Sequence, residues 1–261
     1  MSVAFRFRGV LEQADQETAL LWEAGCRGIA QEGDEVVAYF DARVDVPLAG
    51  DWSEVDDTDW IEAYYADLKP VVLDTLIVAP THRQLSGEEI GGRKVIWLDP
   101  GMVFGTGHHA TTRMALAALE TFELPTLDVV DLGAGSGILA IAAALLGART
   151  VYGLDLDADT LPVARANADL NHVTVGFRHG TLSTDTAADS ADLVVANLFA
   201  EAHAGLADAY AHVVRPGGWL LITGILSDRL GLVREGLEPY FSVAETVHED
   251  EWSLVKAQRL A

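Results

Sequence analysis

The sequence predicts a doubly wound parallel α/β sheet preceded by a small α+β unit, within 261 residues. Three observations carry this. From about Val95 onward, short apolar runs alternate with helical patterns, the rhythm of strand–helix–strand units around a parallel sheet. Inside that rhythm lies a strand, the loop Asp131-Leu132-Gly133-Ala134-Gly135-Ser136-Gly137, an Ala-rich helix and a second strand ending on Asp155. Residues 3–40 instead read strand, helix, strand, strand, an order that suits a compact α+β unit.

Taken in order, Val3, Phe5 and Phe7 alternate as in a strand. Residues 11–23 carry apolar side chains at helical spacing, and 28–30 and 36–40 are β-prone runs around the turn Glu32-Gly33-Asp34. This first unit is assigned to residues 1–50. Residues 51–67 hold no basic side chain and read as an acidic linker entering a helix at 61–68. In that segment Trp52 and Trp60 are candidate anchors on a neighbouring surface, and Pro70 limits the helix. The linker is assigned to 51–94 and the large domain to 95–261.

Within the large domain, helices are expected over 111–122, 138–146, 160–171, 202–214 and 228–237. Strands are expected over 129–132, 150–154, 174–179, 193–196 and 219–223, with a terminal antiparallel pair at 241–247 and 253–258. Asp157-Ala158-Asp159 supplies a helix cap, and Arg215-Pro216-Gly217-Gly218 reads as the turn before the buried strand at 219.

Half of the residues are hydrophobic, enough to bury an ordinary core. The longest apolar run, 138–146, is far shorter than a membrane span. Nothing near Met1 resembles a signal segment, and the chain is expected to be cytoplasmic and monomeric. The single cysteine, Cys26, excludes an internal disulfide, and no Cys/His cluster has zinc spacing, so no metal is expected. The net charge of −23, from 17 basic and 40 acidic residues, repels phosphate backbones and attracts cationic partners. Direct nucleic-acid recognition is therefore not expected, and a basic protein substrate is compatible with the charge, as is plain solubility.

In an open α/β sheet the ligand lies beyond the carboxyl ends of the strands. The candidates there are the loop 133–137, Asp155, Gly180-Thr181 and Asn197. A dinucleotide fingerprint needs a third glycine where Ile138 stands. The sequence has G-x-G-x-G behind an acidic residue, the pattern associated with S-adenosylmethionine. Gly133 and Gly135 let the backbone approach that cofactor, and Asp155 is placed to accept from ribose hydroxyls or, alternatively, to cap the next helix. Asn197 is suited to orient an amine and to donate to the cofactor, or else to cap the helix that follows. The strand end reads Asn197-Leu198-Phe199-Ala200 rather than Asn-Pro-Pro-Tyr, which disfavours base and glutamine-amide substrates. Gly105-Thr106-Gly107-His108-His109 has no P-loop lysine, and two adjacent histidines make a poor metal site.

Four segments together resemble the bacterial ribosomal protein L-eleven methyltransferases: the run from Phe104 to Thr112, the loop 131–137, Gly153-Leu154-Asp155, and Val195-Ala196-Asn197-Leu198. The Gly-His-His block discriminates most, because the glycine loop is shared by many methyltransferases. The resemblance implies a class I S-adenosylmethionine-dependent fold behind a small ferredoxin-like recognition domain. It also implies methylation of lysine ε-amines and the N-terminal α-amine of one ribosomal protein. Cofactor contacts would fall on Thr106, Thr112, Gly133, Gly135, Asp155 and Asn197, with Phe104 and His108 on the methyl-transfer side. Competing readings are a nicotinamide oxidoreductase, a nucleic-acid methyltransferase, an enzyme acting on another basic protein or small amine, and a non-catalytic cofactor-binding assembly module.

Overall fold

Alternating Val3, Phe5 and Phe7 build β1 (Ser2–Arg8), which lies between β3 (Glu35–Phe40) and β4 (Asp51–Val55). With β2 (Gly28–Glu32) the order is β2-β3-β1-β4, every pair antiparallel. The computed structural model describes residues 2–9, 17–18, 20–21, 24–26, 28–40, 42–55, 69–98, 107–182 and 187–261. It divides into two units, Met1–Leu68 and Lys69–Ala261. The first sheet has the strand order and pairing of a ferredoxin-like unit, but residues 42–50, which lead from β3 to β4, contain no helix. Its core gathers Phe5, Leu21, Cys26, Ala38 and Phe40.

Two expectations change here. Residues 51–55 form an edge strand of the first sheet rather than the start of a linker. Trp52 is no anchor for a neighbouring surface. It packs within its own unit, with ring centroids 5.3 Å from Phe5 and 5.1 Å from Phe40. The expected helix at 61–68, Trp60 and most of the helix at 11–23 lie outside the described residues.

The second unit opens with β5 (Val71–Val72), β6 (Leu76–Pro80) and β7 (Lys94–Leu98), a small sheet in which β6 and β7 run parallel. β5 and β6 fall in the segment assigned to the linker, yet Leu76 and Val78 are buried in the main core of the large unit together with Ile96 and Leu98. The short helix α1 (Gly87–Ile90) joins β6 to β7, closed by a Ser86–Glu89 capping box.

The large sheet has the order β10-β9-β8-β11-β12-β14-β13. Its strands are β8 (Asp128–Leu132), β9 (Thr150–Asp155), β10 (Gly176–His179), β11 (Ala191–Asn197), β12 (Val214–Leu226), β13 (Phe241–Glu249) and β14 (Trp252–Arg259). The first five are parallel, while β14 pairs antiparallel with both β12 and β13. Strand order reverses between β8 and β11, the switch point of a doubly wound sheet.

Both faces of the sheet are buried at its centre, along β8 and β11, as their nearly continuous apolar runs require. Val129, Val151, Leu193, Val195 and Leu221 face one layer, with α2 (Ala110–Leu119), α3 (Ile138–Leu145) and α4 (Thr160–Leu170). Val130, Leu132, Val194, Ala196, Leu220 and Ile222 face the other, with α5 (Ala200–Gly205), α6 (Ala207–Val213) and α7 (Leu230–Leu237). Alternation along each strand makes this division, and each fully buried Leu or Val contributes about 1.5–3 kcal/mol. The helix expected over 202–214 is two helices broken at Leu206. The expected turn at Arg215-Pro216-Gly217-Gly218 is carried inside β12, where the ladder to β11 shifts register.

Candidate active site

The chain leaves β8 through the glycine loop, and the loop's backbone is held from β9. The N–H groups of Gly133 and Ala134 both donate to Leu154 O, at 2.8 and 3.0 Å. Gly137, at φ +80°, is the N-cap of α3 in the left-handed region, where a side chain is strained and a Cβ would meet Phe177 at 2.8 Å. At Gly133, also at positive φ, a Cβ would meet Leu198 at 2.6 Å. These glycines therefore answer to protein packing as well as to ligand approach.

Asp155 ends β9 and is tied to the loop. Its Oδ2 accepts from Gly135 N–H at 2.7 Å and its Oδ1 from Asp157 N–H at 2.9 Å. The helix-cap alternative fails, because α4 begins at Thr160 with Asp159 as its N-cap. Each Asp155 oxygen keeps lone-pair capacity beyond those bonds. Gly180 follows β10 and donates to Asp155 O at 2.8 Å, so this candidate supports Asp155 through its backbone.

Asp131, at the end of β8, is 1% exposed. Its Oδ2 accepts from Ala140 N–H at 2.9 Å, while its Oδ1 is buried with no partner among the described residues. Burial, with a contribution from the charge of Asp155, pushes its carboxyl up to about 7. Sequence reasoning noted an acidic residue behind the loop but gave it no role. The signal that could have found it was its position, the last polar residue of an otherwise buried strand.

Asn197 ends β11, and its Nδ2 donates to Thr111 Oγ1 at 3.1 Å, with Thr112 Oγ1 at 3.4 Å. Both threonines are buried in the first turn of α2. The capping alternative for Asn197 also fails, because α5 takes Phe199 as its N-cap and has no side-chain cap bond. Among the described residues no donor reaches Asn197 Oδ1.

The two histidines of the glycine-rich block serve different partners, as expected of adjacent residues. His109 is the N-cap of α2, its Nδ1 accepting from Thr111 N–H, and its ring packs edge-on against Trp252 at 5.1 Å. His108 Nε2 lies 2.8 Å from Lys69 O and must be the protonated nitrogen, which leaves Nδ1 buried with no partner among the described residues. Arg113 holds the His108 carbonyl and pairs with Glu249. Phe104 and Thr106 lie outside the described residues. Among the described residues no cluster of His, Cys, Asp and Glu suits a metal.

His203, behind the end of β12, is fully buried. It donates from Nε2 to Thr223 O at 2.8 Å, and its Nδ1 lies 2.9 Å from the Tyr210 hydroxyl. Burial pushes it down to about 4, so it is neutral and serves the fold.

The described geometry brings together the glycine loop, Asp155, Asn197, Thr112 and the Gly107–His109 segment within one unit. It suits a nucleoside-bearing cofactor: a tight backbone turn, a strand-end carboxylate with free lone pairs, and one buried carboxylate oxygen still lacking a donor. Exposed apolar side chains flank the same strand ends, Leu156 (70% exposed) after Asp155 and Phe199 (74%) after Asn197.

Residues 10–260 match the family model described as Ribosomal protein L11 methyltransferase (PrmA). The chain is 44% identical over 252 residues to the ribosomal protein L11 methyltransferase of Thermus thermophilus, covering 96% of this chain and 97% of that one. It is 42% identical over 267 residues to the protein of that name from Deinococcus radiodurans, with the same shares covered. Among solved structures, a ribosomal protein L11 methylase from Lactobacillus delbrueckii subsp. bulgaricus matches with a TM-score of 0.65 and 28% identity, covering 71% of this chain and 94% of that one.

Proposed function

The chain belongs to the ribosomal protein L11 methyltransferase family, and from that premise we propose that it methylates lysine ε-amines and the N-terminal α-amine of ribosomal protein L11. It is an S-adenosylmethionine-dependent protein methyltransferase. The observation that carries the amine reading is Asn197: a strand-end carboxamide beside the glycine loop, with its NH₂ held by threonines and its oxygen unclaimed among the described residues.

When bound, S-adenosylmethionine supplies an electrophilic methyl group on a sulfonium. The chain's own residues do the rest. Asp155 would hold the ribose hydroxyls, and the backbone of Gly133 and Gly135 would pass close to the cofactor. Thr112 lies beside Asn197 on the same side of the site. Asn197 Oδ1 accepts an N–H of the substrate amine and aims its lone pair at the methyl carbon. The amine must first be neutral to accept the methyl group, with the cofactor's sulfur leaving as the neutral thioether. A lysine has a pKa of ~10.4, and desolvation beside a cationic sulfur lowers it, so the proton leaves to water without a dedicated base. Rate enhancement then comes mainly from positioning and fixed dipoles. His108 and Phe104 are proposed for the methyl-transfer side, and Thr106 is proposed as a cofactor contact.

The charge of −23 favours encounter with a small basic protein over nucleic acid. The first unit is the proposed substrate-recognition element. The enzyme is proposed to act as a monomer in the cytoplasm; among the described residues no helix is long and apolar enough to cross a membrane.

The test mixes purified enzyme, labelled S-adenosylmethionine and total ribosomal proteins with ribosomal RNA. A single labelled small basic protein is expected, and label in RNA, or none despite cofactor binding, overturns the reading. Asn197→Ala should lower turnover about 100-fold or more while leaving the fold intact; wild-type turnover removes Asn197 from the mechanism.

A further inference from the structure

Asn197 can orient an amine only if its oxygen, and not its NH₂, faces the substrate. Its carboxamide is nearly symmetric in shape, so something must choose between the two orientations. The choice is made on α2. His109 Nδ1 accepts the Thr111 backbone N–H and therefore carries no proton. The Thr111 hydroxyl lies 2.8 Å from the same nitrogen, so its hydrogen points to Nδ1. Only lone pairs of Thr111 Oγ1 remain for Asn197, 3.1 Å away. An amide oxygen placed there would meet an acceptor, whereas the amide NH₂ makes a bond. Asn197 Oδ1 is thereby turned away from α2.

Gly224 guards the same orientation from β12. A Cβ at this glycine, φ +87°, would come within 2.9 Å of Asn197 Oδ1 and 2.3 Å of Leu198 O. Any side chain at 224 would push on the oxygen that the relay presents.

We infer that Thr111 is a positioning residue for methyl transfer, relaying the proton-free nitrogen of His109 to Asn197 so that the carboxamide oxygen faces the amine. This rests on the proposed role of Asn197. Loss of the Thr111 hydroxyl frees the carboxamide to turn over. The NH₂ then faces the substrate and competes for the lone pair that must attack the methyl group.

The experiment measures kcat on L11 and S-adenosylhomocysteine affinity for Thr111→Val, Thr111→Ser, Asn197→Ala and the Thr111→Val/Asn197→Ala double variant. Thr111→Val should lose about 10- to 100-fold in kcat with cofactor affinity unchanged, and Thr111→Ser should restore most of it. In the Asn197→Ala background, Thr111→Val should cost nothing more, because the hydroxyl acts only through that side chain. Thr111→Ala is read in the same way if the valine variant does not fold. Wild-type turnover in Asn197→Ala overturns the Asn197 role and the relay with it. A crippled Asn197→Ala beside an unaffected Thr111→Val overturns the relay alone. So does a Thr111→Val penalty that persists without Asn197, or a serine variant as slow as the valine one.

Discussion

Asp128 and Asp131 stand on one strand, β8, and their carboxyls are driven in opposite directions. At the start of the strand, hydrogen bonds led by Arg149 hold the Asp128 carboxyl far below the usual carboxylate range. At its end, burial raises Asp131 to about 7. The contrast extends across the sheet. At the amino ends of β8, β9, β11 and β12, Asp128, Asp192, Arg149 and Arg215 form a closed ring of alternating charge, with contacts of 2.6–3.1 Å. At the carboxyl ends, Asp131 and Asp155 are bonded to backbone N–H groups, and neither forms an ion pair among the described residues. One end compensates its own charge and needs no ligand. The other leaves the Asp155 carboxylate without a counter-ion, and one buried Asp131 oxygen without a partner, among the described residues.

Three substitutions break or sharpen this contrast. The largest effect is expected at Asp131. Its carboxyl titrates near 7 in the fold, against an ordinary value of 3.8, so the folded state binds more protons between those values. The contribution of Asp131 to stability is therefore fully present below pH 4 and is lost as pH rises towards and through 7. A shift of this size corresponds to at most about 4 kcal/mol, at about 1.4 kcal/mol per pH unit. Asp131→Asn should remove that slope, and denaturant melts of both proteins at pH 5 and pH 8 check it. Parallel pH profiles would show that Asp131 is not held protonated by burial.

Next comes Asp155→Ala, expected to weaken S-adenosylmethionine binding about 10- to 100-fold, about 1.4–2.7 kcal/mol, by calorimetry. Wild-type affinity would remove the ribose role. Smallest is Asp128→Asn at the opposite end. It should lower stability by about 1 kcal/mol, because the arginines around it are partly solvated, and shift the melting midpoint by about 2–4 °C. Cofactor affinity should not change, and a change would erase the division between the two ends.

The carboxyl-end chemistry was the more legible part of the sequence. Asp155 and Asn197 could be placed because strand ends are visible as breaks in apolar runs, and topology assigns ligands to those ends. What stayed hidden depends on contacts between distant segments. Thr111 looks like an ordinary first-turn residue of α2, and its meaning comes from Asn197, 86 positions away. The strand Asp51–Val55 was missed because an edge strand needs few apolar residues, and among its described side chains only Trp52 packs against the core. The small sheet at 71–98 was hidden for the opposite reason. Its strands are short and apolar, and only packing shows that they complete the core beside α3. At Leu206, where one expected helix becomes two, the local signal is the preceding Gly205, a single glycine that an otherwise helical pattern tolerates and that does not by itself announce a break.

The interior position of β14 bears on the order in which the sheet is completed. β14 follows both β12 and β13 in the chain, yet it lies between them. Until it arrives, β12 presents an open edge and β13 has no neighbour in the sheet. Leu254, Val255 and Ala257, which are almost wholly buried in the finished unit, also have nowhere to go. A growing chain must therefore hold a half-built sheet with an exposed edge, the surface most prone to pairing with another chain. The last strand in sequence acts as a wedge that both closes the core and ends the period of greatest exposure to aggregation.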